Sequence, residues 1–115
     1  KKKGSFMFIN VSNISSTCWM QLEQLEEAVK YGKIVNINFP VIPTECSDDL
    51  LHDIAHEIKE QIKEYSPRKG DCVCIAGEYG ITFDIVDYVH SCLNYVVCVY
   101  PVMDNDRNFI KFRFY

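Results

Sequence analysis

Asp71 to Val89 reads DCVCIAGEYGITFDIVDYV, and it limits the fold more than any other stretch. Cys72-Val73-Cys74-Ile75-Ala76 is a short apolar run of β-compatible residues. Gly77-Glu78-Tyr79-Gly80 breaks it, and Ile81, Ile85, Val86 and Val89 then recur at helical spacing. A buried strand, a glycine turn and an apolar helix in that order form the usual ligand-binding corner of a parallel α/β sheet. The helix N-terminus there offers N–H groups to an anion, and glycine lets a ligand approach the backbone. The four turn residues alone do not name the ligand.

The rest of the chain supplies partners for that corner. Phe6 to Val11 reads as a first, central strand, followed by the polar loop Ser12 to Thr17. Ser16 or Thr17 is the expected cap of a helix from Cys18 to Tyr31, with Leu22, Leu25, Ala28 and Val29 as its buried stripe and Gly32 as its stop. Lys33 to Phe39 is a second strand, closed by Pro40 and Pro43. Ser47 caps a second helix, Asp48 to Tyr65, whose inner face is Leu51, Ile54, Ala55, Ile58, Ile62 and Tyr65. After the third strand and helix, Tyr95 to Tyr100 is a fourth strand and Pro101 to Arg107 a turn. Phe109 to Tyr115 alternates, with Ile110, Phe112 and Phe114 on one face, as an antiparallel edge strand does.

The order β-α-β-α-β-α-β-β predicts an α/β Rossmann-like three-layer sandwich. Its five-stranded sheet is mostly parallel, in order 2-1-3-4-5, with the last strand antiparallel and three helices around it. Strands one and three are then neighbours at the switch point, which sets the loop Ser12–Thr17 beside the loop Gly77–Thr82.

At 115 residues the chain is one domain with room for a single core and a shallow pocket. A larger ligand is held more easily across a dimer interface. Residues 1–6, with Lys1-Lys2-Lys3-Gly4-Ser5, read as an expression remnant, and 7–115 as the single domain. The net charge of −4 then understates the acidity of the protein, which argues against duplex nucleic acid as a partner. No apolar run approaches the roughly 20 residues that span a bilayer, so no membrane partner is expected. The six cysteines include no C-x-x-C pair and read as reduced thiols of a cytoplasmic protein, four of them within apolar runs where a thiol packs as a small hydrophobe. No metal or cofactor is expected.

Within the paired loops, Ser12, Asn13, Ser15, Ser16 and Thr17 offer hydroxyl and amide groups. Gly77, Glu78, Tyr79, Gly80 and Thr82 offer backbone N–H, a carboxylate, a ring for stacking and a hydroxyl. Together they suit a phosphate ester with a base to stack. The plain alternative is that the serines cap a helix and the glycines turn the chain. The fingerprint G-x-G-x-x-G is absent, which argues against an ordinary dinucleotide site. His52-Asp53-Ile54-Ala55-His56 is similar to a zinc-protease helix but lacks the Glu, and both histidines fall on the helix flank, as on a solvated face. Glu78 reads as a general base, a ribose acceptor or a loop carboxylate. Arg107, Lys111 and Arg113 lie where they reach phosphates or else guard a solvated edge.

A resemblance joins these residues. Phe8-Ile9-Asn10-Val11-Ser12-Asn13, Trp19, Gln24-Leu25-Glu26, Ile34 to Pro40, Ala76-Gly77-Glu78-Tyr79 with Thr82-Phe83, and the ending Phe112-Arg113-Phe114-Tyr115 resemble small CRISPR-associated proteins with a CARF-like, Rossmann-type fold. The resemblance covers nearly the whole chain after Met7 and rests on order and spacing. It implies binding of a cyclic oligoadenylate second messenger by a homodimer, with metal-independent ring cleavage (a ring nuclease) in some relatives. Carried onto this chain, it implies Ser12, Asn13 and Glu78 as the catalytic set. Ser15, Ser16, Gly77, Tyr79, Gly80, Thr82 and Arg107 would bind ligand. Two departures put binding ahead of cleavage. The family's His-Pro is Ile14-Ser15 here, and Pro101-Val102-Met103 stands where a Ser/Thr and an Arg are expected. The alternative is a non-catalytic nucleotide sensor or protein-interaction module.

Overall fold

The computed structural model describes residues 6–12, 22–93 and 95–115. In chain order its elements are β1 (Met7–Ser12), α1 (Leu22–Val29), β2 (Lys33–Asn38), α2 (Asp48–Glu64), β3 (Cys72–Ile75), α3 (Tyr79–Cys92), β4 (Val97–Met103) and β5 (Phe109–Phe114). The sheet order is β2-β1-β3-β4-β5. β1 pairs parallel with β2 and β3, β3 parallel with β4, and β4 antiparallel with β5. The fold is therefore the α/β three-layer sandwich that the sequence predicts.

The continuous apolar runs become strands buried on both faces, as a parallel sheet requires. On one face Ile9, Val11, Val73, Ile75 and Cys98 pack against Ala55, Ile58 and Ile62 of α2 and Ile81, Ile85 and Val89 of α3. On the other, Phe8, Cys72, Cys74 and Val99 meet Ala28, Tyr31 and Phe112. Ser47 caps α2 by accepting the Leu50 N–H through its hydroxyl. An ion pair of 2.6 Å from Lys59 to Asp84 holds α2 beside α3.

Two buried polar contacts fix the sheet. Asp71 is fully buried just before β3, where its carboxylate accepts the N–H groups of Met7 and Arg68, each at 2.8 Å. Its own carbonyl accepts the Val97 N–H, so Asp71 touches the start of β1 and of β4 together. Asn10 faces Asn36 in register, and its side-chain N–H donates to the Asn36 Oδ1 at 2.8 Å.

Four expectations shift. The buried line of α1 is Gln24 and Ala28, while Leu22 and Val29 are exposed. An eight-residue helix offers two competing stripes. The Tyr31 ring, 5.8 Å from Phe8 and 6.3 Å from Phe112, decides between them. Tyr65, expected on the inner face of α2, is 40% exposed as the residue that ends that helix. α3 starts at Tyr79, so the turn is shorter than the glycine spacing suggests.

The fourth difference is in β4, which runs through Pro101 to Met103; the turn is confined to the residues after it. Tyr115 N–H donates to the Cys98 carbonyl, so strand alternation puts the Pro101–Phe112 pair at a non-hydrogen-bonded position. The proline nitrogen then faces the side where β3 has already ended, at Cys74–Val99, and no ladder bond is lost.

Candidate functional site

The site candidate is the C-terminal edge of β1 and β3. These strands are neighbours, and the chain winds away from them in opposite directions, toward β2 on one side and β4 on the other. In sheets wound this way the crevice beyond such strand ends commonly holds a ligand. Ser12, half-buried, ends β1, and its carbonyl accepts the Phe39 N–H at 3.0 Å. Across from it the Ala76 N–H donates to the Val11 carbonyl at 3.3 Å, which holds the start of the second loop against β1. Asn13, Ser15 and Ser16 lie outside the described residues.

Gly77 is exposed, and its lack of a side chain serves packing. A Cβ there would lie inside the van der Waals envelope of the Phe39 ring, which is 2% exposed. Phe39 thus floors the crevice from beyond β2. The sequence reading gave Gly77 the task of close approach to a ligand; the ring beneath it is a sufficient reason for glycine.

Glu78 is the N-cap of α3. Its Oε1 accepts the Ile81 N–H at 2.7 Å, and its carbonyl accepts the Thr82 N–H at 2.9 Å. A carboxylate at this end of a helix is favourable to the dipole and supplies the negative charge that an anionic ligand would otherwise bring. A phosphate placed directly on the α3 N-terminus would meet that carboxylate. Glu78 is accordingly a capping group, with one carboxylate oxygen engaged by the Ile81 N–H. Gly80 sits in the first turn, where a Cβ would stand 3.2 Å from Glu78 Oε1.

Tyr79 is 90% exposed at the rim, a ring available for stacking. Thr82 is buried, and its Oγ1 has no hydrogen-bond partner among the described residues. Arg107 lies on the same edge of the sheet, in the β4–β5 turn, at a left-handed φ of 64°. Asp104 organises that turn by accepting the N–H groups of Asp106 and Asn108. The bond from Asn108 holds the Asp104 carboxyl below its usual range. The register sets the end of β1 beside the end of β3 and the residues that lead into Gly77, and strand order puts Arg107 two strands away from β1.

Three contributors to the crevice escape a reading of the sequence. Phe39 is one. The second is Tyr115, whose hydroxyl donates at 2.6 Å to the carbonyl of Ile75, the last residue of β3. Burial pushes the Tyr115 phenol well above its usual range. The third is the Asn10–Asn36 amide pair, one pleat below Ser12 on the same face. A lone amide inside Phe8-Ile9-Asn10-Val11 was a signal for it; Tyr115 left none, because its role depends on pairing register.

Among the described residues no three His, Cys, Asp or Glu side chains gather as a metal site. His52, His56 and His90 are exposed. Burial raises the thiols of Cys72 and Cys74 and pushes Cys98 up to about 12, so these three are inert core groups at neutral pH. No described helix is long and apolar enough to cross a membrane.

No curated protein and no solved structure matches the chain. One family model does, over residues 7–106, a span from the first residue of β1 into the β4–β5 turn that takes in both crevice loops. By that match the chain belongs to the uncharacterized protein MJ1673 family.

Proposed function

We propose that this protein binds a cyclic oligoadenylate second messenger in the crevice between the loops after β1 and β3, as part of a CRISPR-associated response. One observation carries the reading. The hydroxyl- and amide-rich loop and the Gly-Glu-Tyr-Gly corner leave adjacent strands at the switch point of the sheet. The residue resemblance supplies the class of ligand. In this reading Ser12, Asn13, Ser15 and Ser16 hold phosphate or ribose, Glu78 accepts a ribose hydroxyl, and Tyr79 stacks on a base. A homodimer suits the shallow crevice, since two copies can share one ring.

Binding takes precedence over cleavage because the Glu78 carboxylate already caps α3. Ring opening without a metal would rest on holding the ribose 2′-hydroxyl in line with its phosphate. The test is incubation with cyclic tri-, tetra- and hexa-adenylate in EDTA, read by calorimetry and chromatography. Saturable binding with intact rings supports the sensor reading. Linear products that vanish with Asn13→Ala support cleavage as well. Absence of both removes the proposal.

A further inference from the structure

β2 is the outermost strand of the described sheet on its side, two strands from β3 and the α3 corner. The Lys33 N–H donates to the Phe6 carbonyl and the Phe39 N–H to the Ser12 carbonyl, so the odd-numbered residues of this stretch face β1. Ile34 and Asn38 therefore turn their backbone N–H and C=O groups toward the sheet edge. Sheet edges are commonly guarded by proline, a bulge or a charge. The run Ile34 to Asn38 carries no proline and no charge, and its register with β1 is unbroken. α2 borders this edge. Lys59 reaches across to Asp84 of α3, and at 100° per residue Leu50, Ile54 and Glu57 lie on the opposite flank of α2. Between that flank and the end of β2 runs a groove of about 350 Å³, whose lining includes Asn38, Pro40, Leu50, Asp53, Ile54 and Glu57. Asp53 and Glu57 are exposed, and neither makes an ion pair among the described residues. No described Lys or Arg lines the groove, and residues 13–21 contain none. Like charges one helical turn apart repel, so the two acids are left for a cation from outside.

We propose that this groove takes an extended basic segment of a partner protein, added as a further strand along β2 with alternate Lys or Arg side chains beneath the α2 acids. Same-face side chains of a strand repeat every ~6.6 Å. Asp53 and Glu57 stand about 6 Å apart along the helix axis, so alternate basic residues meet the two acids in turn. Each aliphatic stem would lie on Pro40, Leu50 and Ile54 with its cation at a carboxylate. Main-chain bonds to the strand edge supply affinity, and the charges select the partner. An acidic segment or a nucleic acid would be repelled by both carboxylates. The site goes beyond the messenger reading and leaves Tyr79 exposed. It is tested without nucleotide, so its outcome is independent of messenger binding.

The probe is a fluorescent seven-residue peptide of alternating Lys and Val, titrated with the full chain and read by anisotropy, with circular dichroism as a fold control. The wild type is expected to bind it saturably, and Asp53→Lys combined with Glu57→Lys to weaken binding about tenfold or more. Glu23→Lys combined with Glu26→Lys makes the same change of charge at exposed positions of α1 and should bind as the wild type does. Proline in place of each Val removes N–H donors and the strand conformation, and should also weaken the peptide about tenfold. No saturable binding by the wild type overturns the proposal. So does binding that survives the charge reversal on α2, or that falls equally with the reversal on α1. A Lys-Pro peptide that binds as tightly as the Lys-Val one removes the added strand and the proposal with it. Spermidine that displaces the peptide as well as unlabelled peptide does would make the occupant a small polyamine, and overturns it too.

Discussion

The Tyr115 hydroxyl donates a 2.6 Å hydrogen bond to the Ile75 carbonyl, tying the chain end to the last residue of β3 across β4. Its ring packs 4.7 Å from that of Tyr100. The hydrogen bond satisfies a carbonyl at the crevice edge, where a parallel strand would otherwise leave an acceptor for water or ligand. Tyr115→Phe should therefore lower stability by about 1 kcal/mol in urea unfolding, with the slope unchanged. A neutral Tyr115→Phe would mean that the bond does not persist in solution.

Asp71 should be far less tolerant. Its buried carboxylate answers two backbone N–H groups from separate segments. Asp71→Ala strands both donors and should cost about 2–4 kcal/mol. Asp71→Asn keeps one acceptor and should recover part of that loss. Equal urea midpoints for Asp71→Ala and the wild type would refute the latch.

Alkaline stability follows from the core thiols. Burial raises Cys72, Cys74 and Cys98 above their usual range, so the folded state holds those protons more tightly than the unfolded chain does. The stability this gives is fully present below the ordinary thiol pKa of 9.0. It is lost as pH rises from there through the folded value, about 12 for Cys98. Urea midpoints should hold from pH 6 to about 8.5 and fall above that range, and less steeply in Cys98→Val. At neutral pH a thiol reagent should label Cys92, which is exposed, and spare all three core thiols until unfolding.

Thr82 separates packing from binding. Its buried hydroxyl has no partner among the described residues, so Thr82→Val should be neutral or stabilising by about 1 kcal/mol. If the hydroxyl serves the ligand, the same variant weakens messenger affinity. A large loss of stability would show that the hydroxyl is bonded in solution.

The sheet was legible because β3 and the first half of β4 are apolar without a break where both faces are covered, whereas the open strand β5 alternates. Phe109 to Tyr115 carries the period of two and pairs antiparallel. Ser47 and the two aspartates after it announced α2 correctly. Position in a short helix was not legible: Leu22 and Val29 satisfy the spacing rule, yet the distant rings of Phe8 and Phe112 select Ala28 and Tyr31. The end of β4 misled for a similar reason, since a proline inside a strand is tolerated only when its neighbour has already stopped. The adjacency of the ends of β1 and β3 followed from the element order. The tasks of Gly77 and Glu78 did not, because they depend on Phe39 beneath one and on the Ile81 N–H beside the other.

The crevice account is tested most directly by titrating the purified protein with cyclic tri-, tetra- and hexa-adenylate in EDTA by calorimetry. It predicts saturable binding of at least one ring, weakened about tenfold or more, some 1.4 kcal/mol, by Ser12→Ala combined with Asn13→Ala. Heat-silent titrations with all three rings, from a protein that is folded by circular dichroism, would contradict it.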